Sequence, residues 1–253
     1  MALLEHDVLT PAILLVEPAG VGNVGAAARA MANFGLTDLR VVGSPDMPAD
    51  RDYRAARIEG RPILERLKEA PRPATLAEAL ADIQLPIAVT RRRGKHRPAD
   101  RAPFDLAPLL AAQPAGTTTA LVFGREADGL TVEELDLCGR RLTIPTTAEA
   151  PSLNLAQAVG VVTFAWFSGT AAAAEAAART PPGAGAPDPP APVPEVEAFL
   201  AQLEPALERI GFFEGDRGPD GFRSLRRIFT RAGLTVREVR LLRGLARKIA
   251  EFR

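Results

Sequence analysis

From Leu121 to Trp166 the chain runs strand, turn, helix, strand, loop and helix, and this stretch restricts the possible folds more than any other. Ala120-Leu121-Val122-Phe123 is a short apolar run closed by Gly124, the pattern of a strand buried on both faces of a parallel sheet. Gly124 allows a tight turn and lets a ligand come close to the backbone. Thr131 and Glu134 stand at capping-box spacing, which predicts a short helix over 132–138. Arg141 to Ile144 reads as the next strand. Its exit, Pro145 to Pro151, has no helical period and runs into Ser152, the predicted cap of a helix with Leu155, Val159, Val162 and Trp166 on one side. A loop ending at a helix N-terminus offers free N–H groups to an anion or a carboxylate.

The first half repeats the alternation. Ala12 to Val16 reads as a strand, Glu17 to Gly25 as a glycine-containing turn, Ala26 to Phe34 as a helix and Leu39 to Val42 as a strand. A helix over 53–68, with a break allowed at Gly60 and Pro62, and a short one beginning at Thr75 precede a strand over Leu85 to Val89. Strands alternating with helices predict an α/β domain with a mainly parallel sheet. Gly20, Gly22 and Gly25 also satisfy a dinucleotide fingerprint. The acid that fingerprint needs, Asp46, lies past Gly43-Ser44-Pro45 rather than at the strand tip, and an NAD site leaves the later segments unexplained. After Val89 comes Thr90-Arg91-Arg92-Arg93-Gly94-Lys95-His96-Arg97, on the side where open parallel sheets bind ligands, so Arg93, Lys95 and Arg97 are candidate phosphate contacts.

Formal net charge is zero, which by itself suggests no polyanionic partner, but the distribution is uneven. From Gly221 onward ten Lys and Arg face only Glu238 and Glu251, so the tail carries about +8. A single cysteine, Cys138, excludes an intrachain disulfide, and two histidines without a Cys/His cluster leave no zinc site, so no metal is expected. With Glu5 and Asp7 near the start and no basic-then-apolar signal, a cytoplasmic location is expected. Ala158 to Ala174 is uncharged but short of the roughly 20 residues a bilayer core requires, which predicts a buried helix and no membrane partner. Gly160 within it suggests close approach by another backbone.

The segment from Ala171 to Pro194 is mostly Ala, Pro and Gly and reads as a linker. Beyond it Phe199, Leu203, Leu207 and Ile210 recur at helical spacing, as do Phe222, Leu225, Ile228 and Phe229, and then Val236, Val239, Leu242, Leu245 and Ile249. The chain therefore divides into an α/β domain over 1–170, a linker over 171–194 and a basic helical extension over 195–253.

Three segments, in order, resemble the motifs of the SpoU branch of the SPOUT RNA methyltransferases. The first is Gly22-Asn23-Val24-Gly25-Ala26-Ala27-Ala28-Arg29, with an Asn and an Arg six residues apart; the second is Phe123-Gly124-Arg125-Glu126; the third is Ile144 with Pro151-Ser152-Leu153-Asn154-Leu155. The tail, Leu225-Arg226-Arg227-Ile228-Phe229-Thr230-Arg231 and later Leu241-Leu242-Arg243-Gly244, is similar to the extension of the TrmJ type, which 2′-O-methylates an anticodon-loop ribose of tRNA.

The resemblance implies a deep trefoil knot, which the general rarity of knotted chains would otherwise argue against, an obligatory homodimer, and S-adenosyl-L-methionine held in a bent shape by the knot loops. Transferred residue by residue, the donor pocket would comprise Thr90, Arg91, Arg92, Gly124, Ile144, Pro151, Ser152 and Leu153. The small residues usual after the family's threonine are here Arg91 and Arg92. Arg29 would act on the ribose hydroxyl, as a perturbed base or by binding the adjacent phosphate, since a guanidinium with a pKa above about 12 is a poor base. Asn23 and Asn154 would fix Arg29 or the substrate, Glu126 would pair with an arginine, Ser152 would hydrogen-bond near the donor, and Arg226, Arg227 and Arg231 would contact RNA. The implied function is tRNA methylation at nucleotide 32; the alternatives are a ribosomal-RNA methyltransferase of the same branch and a non-catalytic knotted RNA-binding protein.

Overall fold

The computed structural model describes residues 10–43, 56–91, 101–177, 188–213 and 218–251. Five parallel strands, β1 (Ala12–Val16), β2 (Leu39–Val42), β3 (Leu85–Val89), β4 (Thr119–Phe123) and β5 (Arg140–Leu142), form one sheet in the order β2-β1-β4-β3-β5. β1 and β4 lie centrally and are buried at every position, which is why β1 throughout and β4 after Thr119 are unbroken apolar runs. Side-chain alternation splits them between two cores: Ile13, Leu15, Leu121 and Phe123 face one layer of helices, and Leu14, Val16, Ala120 and Val122 the other.

The first layer contains α1 (Val21–Asn33), α2 (Arg57–Glu69), α4 (Leu106–Ala111) and α6 (Leu155–Ala177); the second contains α3 (Leu76–Ala79) and α5 (Val132–Leu137). α1 starts at Val21, so Gly22 and Gly25 lie inside a helix rather than in the expected turn. α2 is continuous through Gly60 and Pro62, where a break was allowed for. Gly60 marks a helix crossing instead, because a Cβ there would sit 2.9 Å from the Arg29 backbone nitrogen and 3.2 Å from the Ala28 carbonyl carbon. The close backbone approach expected at Gly160 is absent among the described residues, the nearest atom to a Cβ there being the Ala30 methyl at 3.8 Å.

The predicted capping box is present at α5: Glu134 N–H donates to Thr131 Oγ1 at 3.2 Å, and Thr131 N–H to Glu134 Oε2 at 2.7 Å. β5 ends at Leu142, two residues before the expected Ile144. The first seven residues of the segment expected as a linker, Ala171 to Ala177, belong to α6. Alanine is the best helix former as well as a poor core former, and at the end of an established helix its propensity prevails.

The tail folds as α7 (Val193–Arg209), α8 (Gly218–Ala232) and α9 (Val236–Glu251) around Phe199, Leu203, Leu207, Phe222 and Val239. Ile210, Ile228 and Leu245, expected in this core, are exposed. On α9 the buried stripe is Val239 and Ala246 with Leu242 packed against it, and Leu245 stands about 100° away from Ala246, on the solvent side.

The tail rests on the α/β domain. Val193 joins the second core and donates its N–H to the Ile83 carbonyl at 3.1 Å, while Gln84 Nε2 donates to the Pro190 carbonyl at 2.6 Å. Asp136 on α5, only 7% exposed, accepts from Arg223 Nε at 2.8 Å and lies 3.5 Å from Arg227 Nε.

Candidate active site

Parallel sheets open their ligand crevice at the C-terminal ends of the strands. Here Val89 ends β3, Phe123 ends β4, and a cavity between them is walled by Thr90, Arg91, Gly124, Glu126, Asp128, Ile144, Pro151, Ser152, Leu153 and Ala158. Of the expected donor-side residues the fold brings together Thr90, Arg91, Gly124, Ile144, Pro151, Ser152 and Leu153. Arg92 lies outside the described residues, as do Arg93, Lys95 and Arg97.

The wall is held by backbone bonds. Thr90 N–H donates to the Leu142 carbonyl at 3.0 Å, and Thr143 Oγ1 donates to the Thr90 carbonyl at 2.8 Å, so the β3 exit is stitched to the β5 exit. The turn after β4 closes on itself, with Gly129 N–H donating to the Arg125 carbonyl at 2.9 Å. A Cβ at Gly124 would overlap the Gly129 and Leu130 backbone, which is why the turn begins with glycine.

Beside the cavity, three residues distant in sequence form one chain of hydrogen bonds. Asn23 Nδ2 donates to Glu126 Oε1 at 2.7 Å, and Asn154 Nδ2 donates to Asn23 Oδ1 at 2.9 Å. The second Glu126 oxygen accepts the Ala19 N–H at 2.9 Å. Burial pushes the Glu126 carboxyl up, but the hydrogen bonds from Ala19 and Asn23 outweigh it and hold the group below the usual glutamate range. Glu126 thus pairs with an asparagine and a backbone amide, not with the expected arginine, because Arg125 points to other partners.

Ser152 does not cap α6. Asn154 does: its Oδ1 accepts Ala156 N–H at 2.9 Å and Gln157 N–H at 3.4 Å, and Gln157 Oε1 accepts Asn154 N–H at 3.3 Å. Ser152 is left free to line the cavity. Arg29 is absent from the cavity wall, and among the described residues its side chain has no hydrogen-bond or ion-pair partner. Six residues of helix separate it from Asn23 by about 9 Å and about 240° of rotation, and the Asn23 amide bonds Glu126 and Asn154 rather than Arg29.

Sequence reasoning missed the support beneath the motif-two turn. Arg125 forks onto Glu17, with bonds of 2.5 and 2.9 Å, and reaches Glu134 at 3.0 and 3.1 Å. These hydrogen bonds hold Arg125 more firmly protonated and Glu17 below the usual carboxylate range. Glu17 has φ 43°, the one non-glycine residue with positive φ among those described, a conformation costing on the order of 1 kcal/mol or more. The capping box made Glu134 legible in sequence; its second partner was not.

Two of the three tail arginines expected to contact RNA are engaged with carboxylates. Arg226 lies 2.5 Å from Glu197 inside the tail, and Arg227 faces buried Asp136. Both already neutralise carboxylates, Arg226 between α7 and α8 and Arg227 against α5, whereas Arg231 keeps an exposed side chain.

A doubly wound parallel domain with this cavity, three polar motifs tied beside it and a docked basic helical tail has the build of an RNA-modifying enzyme. Residues 11–164, more than half of the chain, match the SpoU rRNA Methylase family, and residues 194–252 match the family described as tRNA methyltransferase TrmJ, C-terminal domain. The chain belongs to the SpoU rRNA Methylase family and is an RNA 2′-O-methyltransferase of that branch.

It is 33% identical over 244 residues to the tRNA (cytidine/uridine-2′-O-)-methyltransferase TrmJ of Salmonella typhimurium, a match covering 94% of this chain and 96% of the relative. It is 41% identical over 153 residues to the uncharacterized tRNA/rRNA methyltransferase LasT of Escherichia coli, of which the match spans only 65% and which it meets over 60% of this chain. Among solved structures, TrmJ from Z. mobilis ZM4 superposes with a TM-score of 0.76 at 34% identity, covering 94% of this chain and 98% of that one. Among the described residues no group of three His, Cys, Asp or Glu side chains is placed to hold a metal, and no described helix is long and apolar enough to cross a membrane.

Proposed function

We propose that the chain methylates the 2′-hydroxyl of a tRNA ribose, at cytidine or uridine 32 of the anticodon loop, using S-adenosyl-L-methionine. The observation that carries this reading is the contact between the cavity and the Asn23, Glu126 and Asn154 chain: Glu126 belongs to both. The cavity suits the donor. Its apolar wall of Val89, Ile144, Leu153 and Ala158 offers a face to an adenine ring, and Glu126 and Asp128 offer negative charge to a cationic ligand.

S-adenosyl-L-methionine supplies an electrophilic methyl group on a sulfonium, so the chain's own tasks are alignment and removal of the hydroxyl proton. Thr90, Gly124, Ile144, Pro151, Ser152 and Leu153 hold the donor side, and Arg91 and Arg92 border it. Asn23, tied at both ends, fixes the first motif against the second and third. Arg29 acts on the ribose or its adjacent phosphate from outside the cavity wall. Arg93, Lys95 and Arg97 contact RNA phosphates with the tail. The 145–154 loop, placed on a strand end beside this cavity, is the segment that would thread the trefoil knot.

A homodimer is part of the proposal. Val161 and Phe164 on α6 are 39% and 49% exposed, and Phe34 stacks edge-on to Phe164 with ring centroids 5.9 Å apart, so an apolar patch lies on the α1 and α6 surface where a second copy would cover it. Sedimentation at micromolar concentration tests this.

The function is tested with unmodified tRNA transcript, S-adenosyl-L-methionine and nucleoside mass spectrometry, with and without chelator. The expected product is 2′-O-methylcytidine or 2′-O-methyluridine, lost when nucleotide 32 is supplied as a 2′-deoxynucleotide and unaffected by chelator. Methylation of ribosomal RNA fragments instead of tRNA would reassign the substrate, and donor binding without methylation of either would favour a binding protein.

A further inference from the structure

Most of the described tail arginines that touch the α/β domain do so through carboxylates, and one group does not. Arg223 and Arg227 meet Asp136, with Glu133 3.6 Å from Arg223. At the seam between β5 and the end of α8 the pairing differs. β5 is the sheet edge, and Arg101 runs alongside its open side, donating its N–H to the Arg141 carbonyl at 3.2 Å and accepting Thr143 N–H at 2.9 Å. From the other direction α8 brings Arg231, whose carbonyl accepts a hydrogen bond from Arg140 Nη1. The two backbones are pressed together here, since a Cβ at Gly139 would overlap the Thr230 carbonyl.

Arg140 therefore sits half-buried between Arg101 and Arg231, and its Nε is buried without a hydrogen-bond partner. Among the described residues no carboxylate pairs with Arg101, Arg140 or Arg231. Burial, then the charges of Arg101 and Arg231, push Arg140 below the usual arginine range, the signature of cations gathered without an anion. Three guanidiniums drawn from two domains, two of them exposed, form a seat for negative charge rather than an ion-pair lock.

We infer that Arg101, Arg140 and Arg231 form a phosphate seat at the domain seam that grips the substrate RNA backbone across both domains. The inference rests on RNA being the substrate and deepens that reading: the tail contributes to RNA binding at this seam, and not through Arg226 or Arg227. A guanidinium fork matches two phosphate oxygens, and an RNA strand offers one such anion per nucleotide.

The test uses the full chain, with Arg101→Ala, Arg231→Ala and the double variant, and measures tRNA affinity between about 50 and 200 mM salt. Each lost phosphate contact makes the plot of log affinity against log salt shallower by about one unit, which extrapolated from 1 M amounts to roughly tenfold in affinity at 0.1 M. The expected double variant loses about two units of slope while its melting temperature and its S-adenosyl-L-methionine binding match the wild type. Unchanged affinity and slope overturn the seat, and so does a fall in melting temperature with the slope intact, which would make these side chains structural. Wild-type protein that binds donor but no tRNA overturns the proposed substrate and the seat together, whereas a variant indistinguishable from a tRNA-binding wild type overturns the seat alone.

Discussion

Asn23 and Glu126, 103 residues apart in sequence, meet through a 2.7 Å hydrogen bond from Asn23 Nδ2 to Glu126 Oε1. Because Asn154 occupies the other end of the same amide, one side chain joins α1, the turn after β4 and the start of α6. Loosening it should disturb the donor cavity without unfolding the sheet.

Glu126→Gln tests the charge in that link. The Glu126 pKa is depressed in the folded state, so its ionised form adds stability that is present above the ordinary glutamate value of about 4.3 and disappears as pH falls through the depressed value. Gln offers only one acceptor and cannot replace both the Asn23 and the Ala19 bonds. Urea denaturation at a series of pH values should show the wild type more stable at neutral pH and the gap closing in acid. A gap of constant size across the acid range removes Glu126 ionisation from the account.

Arg29→Ala should largely abolish methyl transfer while leaving donor affinity intact, because Arg29 is not part of the cavity wall. Single-turnover kinetics together with calorimetric donor titration separate the two effects. Near-normal turnover takes Arg29 out of the mechanism.

Gly60→Ala sets two effects against each other. Helix propensity favours Ala by about 1 kcal/mol, whereas the added methyl meets the α1 backbone, which cannot move aside as a side chain can. Overpacking costs about 1–3 kcal/mol, so the variant should be less stable by up to about 2 kcal/mol in chemical denaturation. A more stable variant would show that the crossing yields.

Deleting everything after Pro190 should leave an α/β domain that binds donor and still dimerises but melts at lower temperature. Uncovering the seat of Val193 in the second core alone removes roughly 1.5 kcal/mol. Affinity for tRNA should fall and its salt dependence should become shallower, since the deleted segment, about +3 in all, includes the stretch from Gly221 onward that carries about +8. If both stay unchanged, the tail serves only to brace α5.

Cys138 is buried, and burial pushes its thiol up to about 12, so it is neutral and unreactive at physiological pH. A thiol-specific dye should label no sulfur in the native protein and one on denaturation. Rapid native labelling would mean that α5 opens readily.

Elements whose cause is local are legible in the amino-acid sequence alone. The central strands are apolar at every position but Thr119 because both faces are covered, and that leaves a nearly unbroken run in the chain. The Thr131 and Glu134 box depends on four consecutive residues and is readable for the same reason. Short-range rules fail where two local answers compete. Ser152 and Asn154 are both good caps, and Asn154 takes the role, with its amide nitrogen also committed to Asn23.

The sequence by itself determined the strand order and the helices other than α4, most of the residues that gather around the cavity and the excess of positive charge in the tail. Only the tertiary structure decided which charges are spent and which are free. Arg226, Arg227 and Arg231 lie within six residues and look alike in sequence, yet the first faces Glu197, the second faces Asp136 and the third turns to the unpaired seam. An arginine's sign is a property of the residue, whereas its partner is a property of two surfaces brought together across the fold. Electrostatic energy falls with distance and with access to water, and both are set by packing that no linear pattern contains.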